Sequence, residues 1–492
     1  MGASNPQQLY DLANAQFAAR DFDAAILNYQ GCVASEPGFA PAYNNLGSAL
    51  LEVGRFEEAA HVLQVATRLS PSYVRPLVNL GKALRELGRF DDAVAKLEEA
   101  LSLQPQYVSA LVNLGDVLIA RDELTRAQDI LCRAAQLAPS LAIAHASLGV
   151  CELQLGQIER SLDTLRRAIA LEPHNRKIAM TLAHAAFLSG DWREGWRYFR
   201  AYCEPVGARL QGWPAGLARW DGTLGSGAEL ALVSEQGLGD TLQFARYGGE
   251  LRRHGHRTTL IAQRPLVPLL ELSGLFDRVI AAGDAVAADA CFPLLGLPEV
   301  FGTAPTSVPR AEGYLRADPR AVGRWRSRVE SDRPVRIGIA WQGNVRAEHG
   351  LLLGRSPGLA PFEVLTQLPH VALFALQKGP GESELQRLAF GGRIRVLEGL
   401  DEGTPFVDSA AVIAGLDLVI TSDTSIAHLA GALGRPVWIC LHKHADWRWG
   451  SDERSAWYAS ARLFRQRRQG DWSTPFSEIA AALATYPATH SH

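Results

Sequence analysis

A period of 34 residues runs through the first two hundred positions of this 492-residue chain, and it constrains the fold more than any other feature. Leu12, Leu46, Leu80, Leu114, Leu148 and Leu182 recur at that spacing. So do Pro37, Pro71, Pro105, Pro139 and Pro173, and so do Phe22, Phe56, Phe90, Leu124, Ile158 and Trp192. Small residues form a further series at Ala25, Ala59, Ala93, Ala127, Ser161 and Gly195. Each unit reads as two amphipathic helices. "YNNLGSALLEVG" supplies the first, Gly54 ends it, "RFEEAAHVLQVATRLSP" supplies the second and Pro71 stops it.

A helix-turn-helix unit of this length with "NNLG…GRFEEAA…P" resembles the tetratricopeptide repeat. About five and a half repeats are predicted over residues 5–203, the last, "LAHAAFLSGDWREGWRYF", being atypical. Such units stack into a superhelix whose concave groove holds a partner. Asn45, Asn79 and Asn113 precede the leucine-glycine pair in three successive repeats. An amide carries both a donor and an acceptor, so these three form a candidate groove for an extended protein or peptide acceptor. Surface asparagines tolerated by the repeat are the plainer alternative. O-GlcNAc transferases carry a similar ladder, and here Ser147 and Thr181 cut it short.

Gly and Pro accumulate after Cys203, and residues 204–228 are predicted to be a linker. Beyond it the periodicity changes. "LALVS", "TTLIA", "RVIAA", "VRIGIAW", "VALFAL", "RIRVLE", "DLVITS" and "PVWICL" are short apolar runs divided by helical stretches. That pattern predicts parallel sheets covered on both faces. The runs fall into two sets, residues 229–318 and 333–486. The expected fold class is therefore α + α/β: an all-α superhelix, then two Rossmann-like halves facing across a cleft. A ligand in such a fold sits at the carboxyl ends of the strands.

Two stretches carry candidate chemistry. In "EQGLGDTLQF" a strand gives way to a two-glycine turn and a helix, with Asp240 at the helix start, as a cap or as a carboxylate placed to take a proton. Gly237 and Gly239 allow close backbone approach to a ligand, and Gln243 stands one turn beyond Asp240. In "SDTSIAHLAGALGRPVW", Asp423, Thr424 or Ser425 can cap a helix whose first N–H groups form an anion site. His428 could touch the same phosphate or pack in the core.

"GLGDTLQFARY", "IAWQGN", "LQKG" and "SDTSIAHLAGALGRPVW" together resemble the heptosyltransferase-like glycosyltransferases in their repeat-fused form, and more distantly O-GlcNAc transferase and bacterial flagellin glycosyltransferases. The resemblance implies a GT-B architecture and an inverting transfer of sugar from a nucleotide donor. It implies Asp240 as general base. It places donor or phosphate contacts at Gln236, Gly237, Gly239, Gln243, Trp341, Gly343, Asn344, Gln377, Lys378, Asp423, Thr424, Ser425 and His428. Relatives often read H-x-N-D-x-x-R-S where this chain reads "HGLLLGRS", so His349, Arg355 and Ser356 match only with two extra residues allowed, and Leu351 and Leu352 stand for the Asn-Asp pair. The acceptor implied is a Ser or Thr hydroxyl of a protein held by the repeats. A lipid or polysaccharide acceptor and a non-catalytic scaffold are the alternatives.

Charge and composition exclude other classes. A net charge of −3 gives no electrostatic reason to expect nucleic acid as a partner. The six cysteines show no metal-ligand spacing. The only D-x-D, Asp21 to Asp23, lies in the repeats, so no metal or other cofactor is expected in the catalytic half. No apolar run approaches the ~18 residues of a membrane span, and the N-terminus does not read as a signal peptide. A cytoplasmic protein without membrane insertion is expected.

Overall fold

The computed structural model describes residues 5–203, 212–309, 311–344 and 354–487. The chain divides into two compact units, Met1–Leu182 and Ala183–His492. Helices pair in the first unit as the period demands, from Pro6–Ala18 with Phe22–Ser35 to Ala142–Gln154 with Ile158–Leu171. The turns between paired helices repeat a left-handed residue at the same spacing: Arg20, Gly54, Gly88, Asp122, Gly156 and Gly190, with φ between 62° and 90°. Glycine is the least strained choice there. A second glycine series has a packing reason. A Cβ at Gly47, Gly81, Gly115 or Gly149 would stand 2.4 to 2.6 Å from Leu63, Leu97, Leu131 or Leu165, so each leucine packs directly on bare backbone.

The asparagine series is spent largely on neighbouring repeats. Asn45 Nδ2 donates to Tyr10 Oη and Asn14 Oδ1, each at 2.9 Å, and Asn45 Oδ1 accepts from Asn44. Asn79 Nδ2 donates to Asn44 Oδ1 and Ser48 Oγ, each at 3.0 Å. Asn113 Nδ2 donates to Ser109 O of its own helix. The first two amides link repeat to repeat.

The second unit contains two all-parallel sheets. The first has the order β1 (Ala218–Arg219), β5 (Ala290–Pro293), β2 (Glu229–Val233), β3 (Arg257–Ala262), β4 (Arg278–Ala281). The second has the order β11 (Ala461–Arg465), β10 (Val437–Leu441), β9 (Leu418–Ser422), β6 (Val335–Ala340), β7 (Val371–Ala375), β8 (Ile394–Val396). Two helix-covered parallel sheets make this a GT-B-type α/β region. The central strands are buried along nearly their whole length, which is why they read as unbroken apolar runs.

Three strands escape the sequence pattern. β1 is only two residues long and lies in the predicted linker, and β5 is four residues ending in Pro293. β11 falls in an arginine-rich stretch. Arg462 is exposed on it while Leu463 and Phe464 are buried, so the strand carries its arginines where the burial pattern allows.

The helix Trp192–Cys203, predicted as the end of the repeats, belongs to the second unit. Its Trp196 is 2% exposed and lies in an aromatic cluster with Trp192, Phe199, Phe244, Trp447 and Trp457. Trp192 stacks on Trp457 with ring centroids 5.6 Å apart, and Trp196 Nε1 donates to Thr303 O at 2.7 Å. Side chains of this size dominate the energy of the contact, and the buried indole N–H finds its partner. No described helix is long and apolar enough to cross a membrane.

Candidate functional site

Asp240 is the third residue of the helix Leu238–Phe244 and not its opening residue. The helix starts two residues earlier because the turn glycines leave room for it, and Asp240 caps it from within: Oδ2 accepts from Gly237 N at 2.9 Å. Its other oxygen, Oδ1, accepts from Arg448 Nη2 at 2.5 Å. Asp240 keeps 22% side-chain exposure, so a face of the carboxylate stays open. Gln236, at the turn, is exposed and holds a positive φ of 63°.

The turn sits directly against the second half. A Cβ at Gly239 would stand 2.7 Å from His428 Cδ2 and 3.6 Å from Ser425 Cα. Only glycine permits this approach, and it packs the turn that carries Asp240 on the start of the helix Ser425–Ala432. That helix has Thr424 at its N-cap, yet no side chain caps it; Thr424 Oγ1 instead bonds Thr421 Oγ1 at 3.1 Å. Among the described residues the side-chain capping expected of Asp423, Thr424 or Ser425 is therefore absent.

A third strand end joins them. Gly343 N donates to Ser356 Oγ at 3.1 Å, and a Cβ at Gly343 would stand 3.2 Å from Arg355 Nη2 and 3.6 Å from Thr424 Cγ2. Arg355 and Ser356 thus reach the site despite the altered spacing before them. His349, Leu351 and Leu352 lie outside the described residues. Asn344 is exposed beside the same turn.

Two candidates support the site from beneath. Trp341 is 0% exposed and donates Nε1 to Gly381 O. Gln377 Oε1 accepts from Trp341 N and Gln342 N, and its Nε2 donates to Gln342 O and Lys378 O. These bonds hold the β6 loop and leave Gln377 no polar atom for a ligand. Lys378, the next residue, has an exposed side chain.

Electrostatics concentrate on Asp446 and Arg448, within the stretch "LHKHADWRWG" at residues 441–450. Asp446 caps the turn Trp447–Trp449 and holds Arg448 Nη1 at 2.8 Å. Burial lowers the pKa of Arg448, but the charges of Asp446 and then Asp240 outweigh it and raise the value overall. Burial raises Asp446, but Arg448 and His184 hold it below the ordinary carboxylate range. Desolvation, followed by the Asp446 charge, pushes Asp423 up to about 6. His428, 6% exposed, is pushed down to about 3 by burial and then by Arg448; its ring stacks on Trp449, and Nδ1 bonds Tyr458 Oη at 2.9 Å. It is neutral at physiological pH. Nothing in single-sequence spacing could have paired Asp240 with Arg448, which lie 208 residues apart. Among the described residues no group of three His, Cys, Asp or Glu side chains could hold a metal ion.

The arrangement defines a class: a helical-repeat array joined to a GT-B-type domain, with the Gly239 turn of the first half packed on the start of the helix Ser425–Ala432 in the second. Comparison with known proteins agrees. Residues 10–74 and 78–142 match the tetratricopeptide repeat, and residues 367–465, which span β7 to β11, match glycosyltransferase family 9 (heptosyltransferase). The second sheet from β7 onward is thus similar to a heptosyltransferase-type glycosyltransferase domain. The chain is 28% identical to protein FlbA of Caulobacter vibrioides over 340 residues, covering 63% of this chain and 56% of FlbA. It therefore spans little more than half the length of that curated relative. The repeats are similar to TTC0263, a thermophilic repeat protein of Thermus thermophilus, at 20% identity over 37% of this chain and 100% of that one, with a TM-score of 0.35. They are also similar to YrrB, described as a repeat protein with an unusual peptide-binding site, at 22% identity, 36% and 89% coverage and a TM-score of 0.29.

Proposed function

We propose that the chain is an inverting, metal-independent glycosyltransferase that moves a sugar from a nucleotide donor to a Ser or Thr hydroxyl of a protein held by the repeats. The observation that carries this reading is the contact of the Gly239–Asp240 turn with the start of the Ser425–Ala432 helix. On this reading the Asp240 carboxylate serves the acceptor and the start of that helix serves the phosphate.

The chemistry follows from those two groups. The acceptor O–H gives its proton to Asp240 as oxygen attacks the anomeric carbon. The bond from that carbon to the phosphate oxygen breaks, and its electron pair leaves with the nucleotide. The backbone N–H groups at the start of the Ser425–Ala432 helix, with Arg355 beside the Gly343 turn and Lys378, compensate the developing negative charge. One displacement with one base inverts the anomeric centre. The α/β half contains no D-x-D, so the reading assigns charge compensation to protein groups.

Thermal unfolding with UDP, ADP, GDP, CDP, CMP and dTDP near millimolar concentration tests the donor side. A nucleotide at about 100 times its Kd stabilises the native domain by ~2.7 kcal/mol, and one member of the panel is expected to do so. Asp240→Asn should keep that shift and lower transfer by about a hundredfold or more, the typical share of a general base. No shift with any nucleotide would favour a scaffold without activity.

A further inference from the structure

We propose that Arg448 is the positioning residue for Asp240, an inference that rests on Asp240 being the base. Arg448 spends all three guanidinium nitrogens in fixed directions. Nη2 donates to Asp240 Oδ1 at 2.5 Å, Nε to Gln243 Oε1 at 2.8 Å, and Nη1 to Asp446 Oδ1 at 2.8 Å. The first two acceptors stand one turn apart on the helix Leu238–Phe244 of the first half. Asp446 belongs to the same loop of the second half as Arg448 itself, where it also accepts Arg448 N at 3.0 Å. A planar fork held on both sides fixes orientation as well as charge.

The platform beneath it is aromatic. Arg448 lies over the Trp447 ring at 4.7 Å, with Phe199 and Phe244 at 5.9 and 6.0 Å. Phe199 comes from the helix Trp192–Cys203, and His184, buried, stands within electrostatic reach of both Asp446 and Arg448. Asp240 Oδ2 is tied to Gly237 N, so the two oxygens are held by one bond from each half. The exposed part of the carboxylate is thereby held in one orientation. Arg448 acts through Asp240 and Gln243, and the helix that continues the repeat pattern helps to hold it there.

The test is a double-mutant cycle on turnover, using the nucleotide found in the unfolding panel and its sugar nucleotide with water as acceptor. Arg448→Met, Arg448→Lys, Asp240→Asn and the Met/Asn double variant are compared with the full chain. Arg448→Met is expected to lower kcat about a hundredfold while nucleotide affinity stays within about threefold, and Arg448→Lys is expected to recover part of the loss. The double variant should be no slower than Asp240→Asn alone, since a positioning residue has nothing left to position. Multiplying losses, or a large fall in nucleotide affinity, would assign Arg448 to the phosphate and overturn the inference. If Arg448→Met melts below the assay temperature, the cycle is run with Arg448→Lys, and full activity in that variant overturns it too. Absence of nucleotide binding and of donor turnover in the unsubstituted chain defeats the glycosyltransferase reading first, and this one with it.

Discussion

Whether a carboxylate is a cap or a base is, for Asp240, a false choice at the scale of single residues. One oxygen caps its helix through Gly237 N and the other meets Arg448, and a partly open carboxylate can accept a further proton donor. The neighbouring histidine has a role that is independent of the chemistry. His428 is buried and neutral, its pKa down at about 3, whereas an unfolded chain protonates histidine near 6.5. Its contribution to stability is therefore fully present above about pH 6.5 and is lost progressively as pH falls towards 3. His442 is shifted the same way, to about 4, by burial and then by His444. In denaturant titrations across that range, the stability difference between the unsubstituted chain and His428→Gln should shrink steadily with acidification. A difference that stays constant would mean that His428 is not held neutral. The identity of Asp240 and the helix start at Thr424 were legible from "GLGD" and "SDTS", because a turn glycine and a polar helix start are local signals. Arg448, Asp446 and the supporting bonds of Gln377 were not, because what they do depends on partners from other strand ends.

Among the elements, the repeats illustrate how a local pattern can specify its own packing. The same spacing gives the left-handed turns at Gly54 and Gly88 and the close contacts of Gly81 with Leu97 and of Gly115 with Leu131. Gly81→Ala would place a methyl 2.6 Å from Leu97 Cγ, inside a helix pair that cannot separate without exposing its core. A cost of ~1–3 kcal/mol is expected from overpacking, read as a lower midpoint in urea with an unchanged slope. A neutral result would show that the helix pair can part by a few tenths of an ångström. The asparagines show the limit of the same pattern. Their spacing is plain, but Asn45 and Asn79 turn their amides onto adjacent repeats, which sequence spacing alone does not distinguish from amides offered to a peptide. Strands β1, β5 and β11 are hidden in the sequence for a related reason: they are short, or carry arginines on an open face, and exist as strands only through their neighbours in the sheet.

For the whole molecule, the decisive element is the helix Trp192–Cys203. By its spacing it is the last repeat helix; by its contacts it belongs to the second unit, where Trp192, Trp196 and Phe199 pack on Trp447, Trp457 and Phe244. A chain starting at residue 212 should expose that aromatic surface and aggregate or melt well below one starting at residue 176. Light scattering and differential scanning calorimetry of the two would decide, and equal melting temperatures would show that the helix is dispensable to the second unit. The sequence by itself determined the repeat, its two-helix unit, the alternation of buried strands and helices, and the glycines of the Asp240 turn. Each of those rests on periodicity or on backbone conformation within a few residues. Only the tertiary structure decided that Arg448 grips Asp240, that Gly239 lies on His428, and that the last repeat helix underpins the site. Such contacts join residues far apart in the chain, and they form because burial favours the geometry in which each charge finds its partner.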